Sequence, residues 1–471
     1  MLLKHYFIGK IAHSSYILAG KESCAVVDPR RDVAFYIEEA RALGVPITHI
    51  LETHLHADFI SGHMDLARRT GATIYAPKSA NCKFDHVPLA EGDTISLENM
   101  RLDVLETPGH TPEHIAYVVT DEVRGDKPIG VFVGDVLFVG DVGRPDLFPD
   151  MADELAGQLY HSLHDKLLKL PDYCEVYPAH GAGSLCGRAM SAKWLTTIGY
   201  ERQHNTALQI KDKAEFIHSL TTNMPPAPDH FGRCSDINRT GPTLVSDLAV
   251  LEALKPDQFT ERMESSHTAV LDVRGYASFA GVHIPGAWHL DLNGNFPAFA
   301  GWVLPPDKDL LLVADNYQDA VAANTWARRV GVDRIVGYLD GGMVAWATAG
   351  LKSDDVHLVS AEGLHRMITG TSNIVLVDVR APLEFAESHI QGAVNIPAPD
   401  LRIRHQELDP DKPTVVICST GNRSSLAASM LKQYGFKQVH NMAGGMTGYS
   451  AAGYVKRCTV CENPHGPRFS E

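Results

Sequence analysis

The sequence has few of the features that mark a secreted or membrane-bound protein. Its eight cysteines are scattered over 471 residues, apart from the Cys-x-x-Cys pair at Cys458 and Cys461, so they do not form a disulfide framework. No uninterrupted apolar run reaches the roughly 20 residues of a membrane span. The N-terminus carries Lys4 and Lys10 among its apolar residues, so it lacks the core of a signal peptide. We therefore expect a reduced, cytoplasmic protein that binds no membrane.

Positive charge is also scarce. The chain has 42 Lys and Arg against 57 Asp and Glu, a formal net charge of −15, which argues against nucleic acid as a partner. At about 150 residues per domain, the length predicts roughly three domains. With 44% hydrophobic residues, we expect the chain to be globular throughout.

The first half is organised around Thr-His-Leu-His-Ala-Asp at residues 53–58. Residues 47–52 before it are largely apolar or β-branched, which predicts a buried strand that delivers His54, His56 and Asp58 into a loop. Further candidates follow later apolar runs and can meet this loop at the same edge: His110, Asp135 and His180. A lone histidine is more often structural, but several His and Asp on strand-end loops suit a transition-metal site.

Local patterns predict a layered fold for this half. Residues 32–43 are expected to form a helix with Asp32 as N-cap and Gly44 just past its end, and a second helix ends near Gly71. A helical stretch is predicted over 152–170. Strands are predicted at 16–18, 25–28, 73–76, 101–106, 115–119, 130–133 and 175–177. Strand-rich halves closed by helices fit a four-layer α/β sandwich.

These motifs resemble the metallo-β-lactamase superfamily, whose usual motif is His-x-His-x-Asp-His. In this chain Phe59 takes the place of the last histidine. In the superfamily that histidine helps the residues at Asp58 and His180 hold a second metal. Because phenylalanine cannot coordinate a metal, the resemblance does not extend to a binuclear hydrolase centre.

The other motif residues resemble those of the persulfide dioxygenase branch of the superfamily. The resemblance implies one Fe(II) per chain on His54, His110 and Asp135, with open positions for a persulfide and O2. It implies orienting roles for three further residues, His56, Asp58 and His180. The segment 140–148 also resembles this branch. Its Arg144 either steers an anionic thiol carrier or pins a loop.

The second half contains a repeat. Asp272, His283 and Gly286 recur at a constant spacing as Asp378, His389 and Gly392, and Gly341-Gly342-Met343 recurs as Gly444-Gly445-Met446. Each copy alternates strands and helices, which predicts a parallel sheet with helices on both faces.

In the second copy, strand 414–417 leads to Cys418 and then to a helix from about Ser424. A cysteine at the foot of a helix, ringed by N–H groups, suits a thiolate that binds an anion, and Arg423 adds a positive charge. The loop comprises six residues, Cys418-Ser419-Thr420-Gly421-Asn422-Arg423. Residues 360–455 resemble a rhodanese, a sulfurtransferase whose cysteine carries sulfane sulfur. Related phosphatases have one more residue in this loop, so its length favours sulfur transfer.

In the first copy Asp315 takes the place of the cysteine. A carboxylate is no sulfur nucleophile, so this copy should be an inactive spacer or docking domain. We predict a dioxygenase domain over 1–222, a Pro- and Gly-rich linker or wrapping arm over 223–244, the inactive rhodanese over 245–352, the active rhodanese over 353–457 and a tail over 458–471. Cys234 is expected to be incidental and the Cys458–Cys461 pair to have no catalytic role, and the sequence assigns no role to Cys186.

The whole chain resembles bacterial persulfide dioxygenase–rhodanese fusions. The predicted fold is α/β, a metallo-β-lactamase αββα sandwich followed by two rhodanese domains. The expected function is sulfide detoxification: a thiol persulfide, O2 and water give sulfite, and sulfane sulfur moves between persulfide and sulfite or thiosulfate. The carrier can be glutathione, coenzyme A, bacillithiol or cysteine, and we expect a homo-oligomer. A thioester hydrolase of the glyoxalase II kind and a non-enzymatic sulfur relay or sensor remain alternatives.

Overall fold

The computed structural model describes residues 1–188, 190–222, 224, 227–370 and 373–456. They divide into two compact units. The first unit is built mainly from Met1–Asp247, and the second mainly from Leu248–Arg328 and the residues from Val332 onward. No helix among these residues is both long enough and apolar enough to cross a membrane.

Two six-stranded sheets form the first unit. One follows chain order: β1 (Leu2–Ile8), β2 (His13–Ala19), β3 (Cys24–Val27), β4 (Ile47–Leu51), β5 (Thr73–Pro77) and β6 (Val87–Leu89). The other has the order β12-β11-β10-β9-β8-β7, from β7 (Thr94–Leu97), β8 (Met100–Glu106), β9 (Ile115–Asp121), β10 (Gly130–Gly134), β11 (Glu175–Pro178) and β12 (Thr196–Thr197). Tyr16 of one sheet and Tyr117 of the other share a buried apolar cluster, so the sheets pack face to face.

Helices cover the outer faces of both sheets. Tyr36 in α1 packs with Val26 of the first sheet, and Leu159 in α3 packs with Val131 of the second, which confirms the αββα sandwich. The helices are α1 (Ala34–Leu43), α2 (His63–Thr70), α3 (Ala152–His161), α4 (Ile198–His204), α5 (Thr206–Gln209), α6 (Lys213–Thr221) and α7 (His230–Thr240).

Two local predictions need correction. Gly44 ends α1 in the left-handed conformation as predicted, but the N-cap is Val33 and its side chain makes no capping bond. Asp32 instead pairs with Arg30 at 3.0 Å. The stretch 152–170 is not one regular helix, because α3 continues into a π-helical turn at Ser162–Lys166 and a 3₁₀ turn at Leu167–Lys169. Apart from these two corrections, the segment 223–244 contains the helix α7.

The second unit consists of two copies of one fold. The first sheet has the order β13-β17-β16-β14-β15, from β13 (Glu252–Leu254), β14 (Thr268–Asp272), β15 (Trp288–His289), β16 (Asp309–Val313) and β17 (Ile335–Leu339). The second has the matching order β18-β22-β21-β19-β20, from β18 (His357–Val359), β19 (Val375–Asp378), β20 (Val394–Asn395), β21 (Thr414–Ile417) and β22 (Val439–Met442). All pairings are parallel, so the predicted repeat is confirmed.

The repeated sequence motifs have a structural reason. Arg274 forms two parallel bonds to Asp272, and Arg380 forms the same pair with Asp378, with Nη2–Oδ2 distances of 2.6 Å in each copy. Each pair is buried just after a central strand and ties down the chain that follows. The helices of these copies are α8 (Pro256–Met263), α9 (Tyr276–Gly281), α10 (Phe296–Val303), α11 (Tyr317–Arg329), α12 (Gly342–Thr348), α13 (Ala361–Thr369), α14 (Pro382–Glu387), α15 (Leu401–Arg404), α16 (Asn422–Gln433) and α17 (Gly445–Ala451).

Candidate functional site

Three predicted metal ligands meet in the interior of the first unit. His54 follows β4, His110 lies between β8 and β9, and Asp135 directly follows β10. Asp135 Oδ2 lies 3.8 Å from His54 Nε2 and 3.4 Å from His110 Nε2. One donor atom from each residue falls within 4.8 Å of the others, and all three side chains are buried. Two imidazoles and one carboxylate form the donor set of a facial triad.

The other ring nitrogens fix which atoms face the cluster. His110 Nδ1 lies 2.9 Å from the carbonyl oxygen of Arg144, which can only accept, so Nδ1 donates and Nε2 carries the lone pair. The Thr53 hydroxyl donates to Asp28 and therefore accepts from His54 Nδ1 at 2.9 Å. Among the described residues, His110 Nε2 is buried without a hydrogen-bond partner. A metal ion at the cluster would satisfy it, so the residues fit a metal.

The protonation states also suit a metal. Burial holds the pKa of His54 well below its ordinary value and lowers the pKa of His110, so both rings are neutral. Burial alone would raise the pKa of Asp135, but the charge and hydrogen bond of His180 outweigh it and lower that pKa. Neutral imidazoles beside an ionised carboxylate are the forms that coordinate metal.

His180 and Asp58 hold the carboxylate of the cluster. His180 Nδ1 lies 2.8 Å from Asp135 Oδ1, and its Nε2 lies 3.0 Å from Asp58 Oδ2. Burial would lower the pKa of His180, but the charges of Asp135 and Asp58 raise it well above its ordinary value. The charged ring therefore bridges two carboxylates and orients Asp135.

His56 faces a different pair of carboxylates. Its Nε2 lies 3.2 Å from Asp28 and 3.7 Å from Glu52, and all three side chains are buried. The sequence motifs did not indicate Asp28 or Glu52 as site residues. Their position just after β3 and β4, as carboxylates behind apolar strands, was the signal that could have identified them.

Phe59 occupies the position where the superfamily motif has its last histidine. Its ring is fully buried and packs against the rings of His13 and His56, with centroid distances of 4.0 and 4.4 Å. An apolar ring there supplies no ligand atom.

Arg144 lies close to this site but is not available at a surface. Its side chain is 1% exposed, and its guanidinium donates to Asp146 at 2.7 and 2.6 Å and to the Leu185 carbonyl oxygen at 3.2 Å. A Cβ at the neighbouring Gly143 would collide with the Asp135 carbonyl oxygen, so this loop packs tightly on the cluster. These contacts fit the loop-pinning interpretation of Arg144.

Cys186 is a further residue that the sequence left without a role. One donor atom each from Cys186, Asp58 and His180 lies within 4.8 Å of the others. Burial raises the pKa of the Cys186 thiol well above its ordinary value, so the thiol is protonated. The described part of the chain does not include Cys458 and Cys461.

The second site surrounds Cys418. The sulfur lies 3.1 Å from the Gly421 N–H and 3.3 Å from the Ser424 hydroxyl, both of which can donate to it. Asn441 donates to the Gly421 carbonyl oxygen at 3.1 Å and fixes the turn. Gly421 has φ +113°, and a Cβ at Gly445 would collide with the Cys418 carbonyl oxygen. The conformation of this loop therefore depends on both glycines.

Arg423 is already paired. Its Nη1 and Nη2 donate to the two carboxylate oxygens of Glu384 at 2.6 and 2.8 Å, and Nη2 also donates to Ser419 Oγ at 2.7 Å. Burial would raise the pKa of Glu384, but Arg423 outweighs it and lowers that pKa, so the pair is ionised. The expected positive charge is thus balanced by Glu384, which sequence reasoning missed.

The comparisons with known proteins agree with this geometry. Residues 8–180 match the metallo-beta-lactamase superfamily, and residues 255–349 and 360–452 each match the rhodanese-like domain. The hydroxyacylglutathione hydrolase of Methylobacillus flagellatus is 35% identical over 221 residues, 45% of this chain and 79% of the relative. The crystal structure of a metallo-beta-lactamase from Staphylococcus aureus subsp. aureus COL covers 72% of this chain and 98% of its own, with 32% identity and a TM-score of 0.66. The chain belongs to the metallo-beta-lactamase superfamily.

Another relative is a dioxygenase and not a hydrolase. Persulfide dioxygenase ETHE1, mitochondrial, of Mus musculus is 29% identical over 232 residues, 48% of this chain and 84% of the relative. Each relative covers about half of this chain, and two rhodanese-like domains follow the residues 8–180 that match the superfamily.

The first rhodanese-like domain contacts the loop of the second domain that follows Cys418. A Cβ on Gly421 would lie 3.0 Å from Cζ of Tyr276, which opens α9 of the first copy. A Cβ on Gly294 would lie 3.2 Å from Nδ2 of Asn422. Asp315, exposed after β16, stands in the place of the cysteine. The copy without a cysteine thus supplies one wall of the Cys418 loop, which the sequence did not reveal.

Proposed function

We propose that the first unit is a mononuclear non-haem iron persulfide dioxygenase and that the second copy of the second unit is a rhodanese sulfurtransferase. The observation that carries the proposal is the His54–His110–Asp135 cluster with Phe59 packed at the position of a second-metal ligand. Fe(II) bound to the three side chains would activate O2, whereas redox-inert zinc cannot activate it.

The substrate of the first unit would be a low-molecular-weight thiol persulfide. The balanced reaction is RSSH with O2 and H2O giving RSH, sulfite and two protons. His180 and Asp58 would hold Asp135 in its binding orientation, and the Arg144 carbonyl oxygen would hold His110. The ETHE1 relative supports this substrate class.

The substrate of the second unit would be sulfane sulfur. The Cys418 thiolate attacks the outer sulfur of a donor, one S–S bond forms as another breaks, and the donor's thiol or sulfite leaves. In the reverse half, sulfite or a thiol takes the sulfur from Cys418. The Gly421 N–H and Ser424 hydroxyl would stabilise the thiolate. One chain carrying both activities keeps their shared sulfur species at high local concentration, as sulfide detoxification requires.

Thioester hydrolysis is the second candidate, because the hydroxyacylglutathione hydrolase relative has the higher identity of the two. An oxygen electrode with the persulfides of glutathione, coenzyme A, bacillithiol and cysteine tests the proposal. Parallel assays follow hydrolysis of the glutathione thioester of lactate. We expect oxygen uptake with at least one persulfide and no thioester turnover. Thioester turnover without oxygen uptake would favour the hydrolase, and no turnover of either substrate would favour a sulfur relay.

A further inference from the structure

Helix α7 lies in the segment whose composition predicted a linker, yet its buried residues face the metal motif. Phe231 belongs to the same buried cluster as Ala57, Phe138 and Cys186. Asn238, in the last turn of the helix, is 2% exposed. A segment that only joined two domains would have no reason to bury a primary amide against the motif loop.

The Asn238 side chain makes three hydrogen bonds, all to main-chain groups of residues 56–61. Its Oδ1 accepts from the Ser61 N–H at 2.9 Å. Its Nδ2 donates to the carbonyl oxygens of His56 and Phe59, each at 2.8 Å. The loop is irregular and buried, so its main-chain groups need partners outside a helix or sheet. One amide, with two donors and an acceptor, satisfies three of them.

The start of the same loop is held by carboxylates. Asp28 accepts from the Thr53 N–H at 2.8 Å, and Glu113 accepts from the Leu55 N–H at 2.9 Å. Asn238 holds the remaining part, because the His56 and Phe59 carbonyl oxygens flank the peptides that aim Asp58. The loop that presents His54 and Asp58 is therefore fixed from both ends.

We infer that Asn238 is a positioning residue for the metal site. By fixing residues 56–61, its amide holds Asp58, which contacts His180, and His180 in turn contacts the ligand Asp135. The ligand is therefore held in its orientation before the metal binds. The inference rests on the proposed function only in taking the metal to be iron. Residues that orient metal ligands typically change metal affinity by about 10–100-fold when replaced.

The experiment compares three variants of the full chain. Asn238→Ala removes all three bonds, and Asn238→Asp keeps the shape and the acceptor but loses both donors. Thr240→Val is the matched control, because this exposed side chain bonds only to carbonyl oxygens of its own helix. Fe(II) release to a coloured chelator is timed, and the visible spectrum of the Co(II)-loaded protein reports ligand geometry. We expect release about 10–100-fold faster in both Asn238 variants, a changed Co(II) spectrum, and wild-type behaviour in Thr240→Val.

Two results would overturn the inference. One is a wild-type release rate and Co(II) spectrum in both folded Asn238 variants. The other is that the Asn238 variants lose metal only at temperatures where their first unit unfolds. At lower temperatures their Fe(II) release rate and Co(II) spectrum would then match those of the wild type. A wild-type chain that holds iron but consumes no O2 with persulfides contradicts the proposed function alone, since the release rates still decide the role of Asn238.

Discussion

The ring of Phe59 lies 4.0 Å from the ring of His13, centroid to centroid, and both side chains are fully buried. The space at the end of the metal motif is thus filled by two packed rings. A second metal ion there would have to displace an apolar side chain from the interior.

The wild-type protein should therefore hold about one iron ion per chain when it is active. Phe59→His restores the superfamily motif beside Asp58 and His180 and should raise metal uptake towards about two ions per chain. Phe59→Leu, which stays apolar, is the control and should keep the wild-type metal content. Metal analysis by mass spectrometry checks this. Two zinc ions in an active wild-type chain would contradict the single-metal assignment.

His180→Ala should still load about one iron per chain from excess Fe(II), because the ring contacts Asp135 rather than completing the cluster, but it should release that iron faster than the wild type. Turnover should fall about 10–100-fold, since the carboxylate loses the group that orients it. Iron content and oxygen uptake are measured on the same sample. Complete loss of iron would mean that His180 is itself a ligand.

The sequence made His54, His110 and Asp135 candidates because each lies on a loop that follows a strand, and the family resemblance selected these three from the six candidates. It predicted Asp58 beside them but not the two carboxylates that face His56. Asp28 and Glu52 are single acidic residues in the sequence, and their pairing with His56 depends on how two strands lie side by side. Proline and glycine in 223–244 predicted a linker, and the buried amide of Asn238 carries no signal in the composition.

Cys418→Ser should still consume O2 with a persulfide but should release sulfite, because the sulfur carrier is gone. The wild type, given excess persulfide, should accumulate thiosulfate. Asp315→Ala is the matched change at the same position of the other copy and should leave sulfur transfer unaltered. Thiol-labelling chromatography beside an oxygen electrode identifies the products. Thiosulfate from the serine variant at the wild-type rate would show that Cys418 is not the carrier.

Tyr276→Ala should expose the Cys418 loop, since it removes the ring that lies against Gly421. Alkylation of Cys418 by iodoacetamide should become several-fold faster, and Tyr276→Phe should restore the slow rate because it keeps the ring. Tyr317→Ala, which removes an exposed ring of the same copy, is the control. Mass spectrometry of the labelled peptide gives the rates. Equal rates in wild type and Tyr276→Ala would show that the ring does not limit access.

Glu384→Gln should lower the free energy of unfolding of the second unit at pH 7 by about 1.5–3 kcal/mol, the value of hydrogen bonds to charged groups. The pKa of Glu384 is lowered in the folded state. The ionised pair therefore stabilises the fold above the unfolded pKa of about 4.3, and this stabilisation is lost as pH falls through the folded pKa. The difference between wild type and variant should shrink in acid. Denaturation followed by tryptophan fluorescence at several pH values tests this, and a difference independent of pH would contradict it.

The repeat in the second half was readable because its paired Asp and Arg residues and its paired glycines are local motifs. The pairing of Glu384 with Arg423 could not be predicted, because Glu384 precedes Arg423 by 39 residues and belongs to α14, the helix that follows β19. Tyr276 lies still further away, in a copy whose own loop lacks the cysteine. Contacts between separate copies leave no spacing pattern for a sequence to show.

The ribosome makes the motif loop long before it makes Asn238, the residue that holds the loop. The donor to the His56 carbonyl oxygen lies 182 positions further along the chain. A ribosome that has made both sheets of the first unit has not yet made α7. Until that helix has been made, the first unit has its proposed metal ligands but lacks the three hydrogen bonds of Asn238 to residues 56–61. A shortened chain ending at residue 222 would stay in that unfinished state and should lose iron quickly.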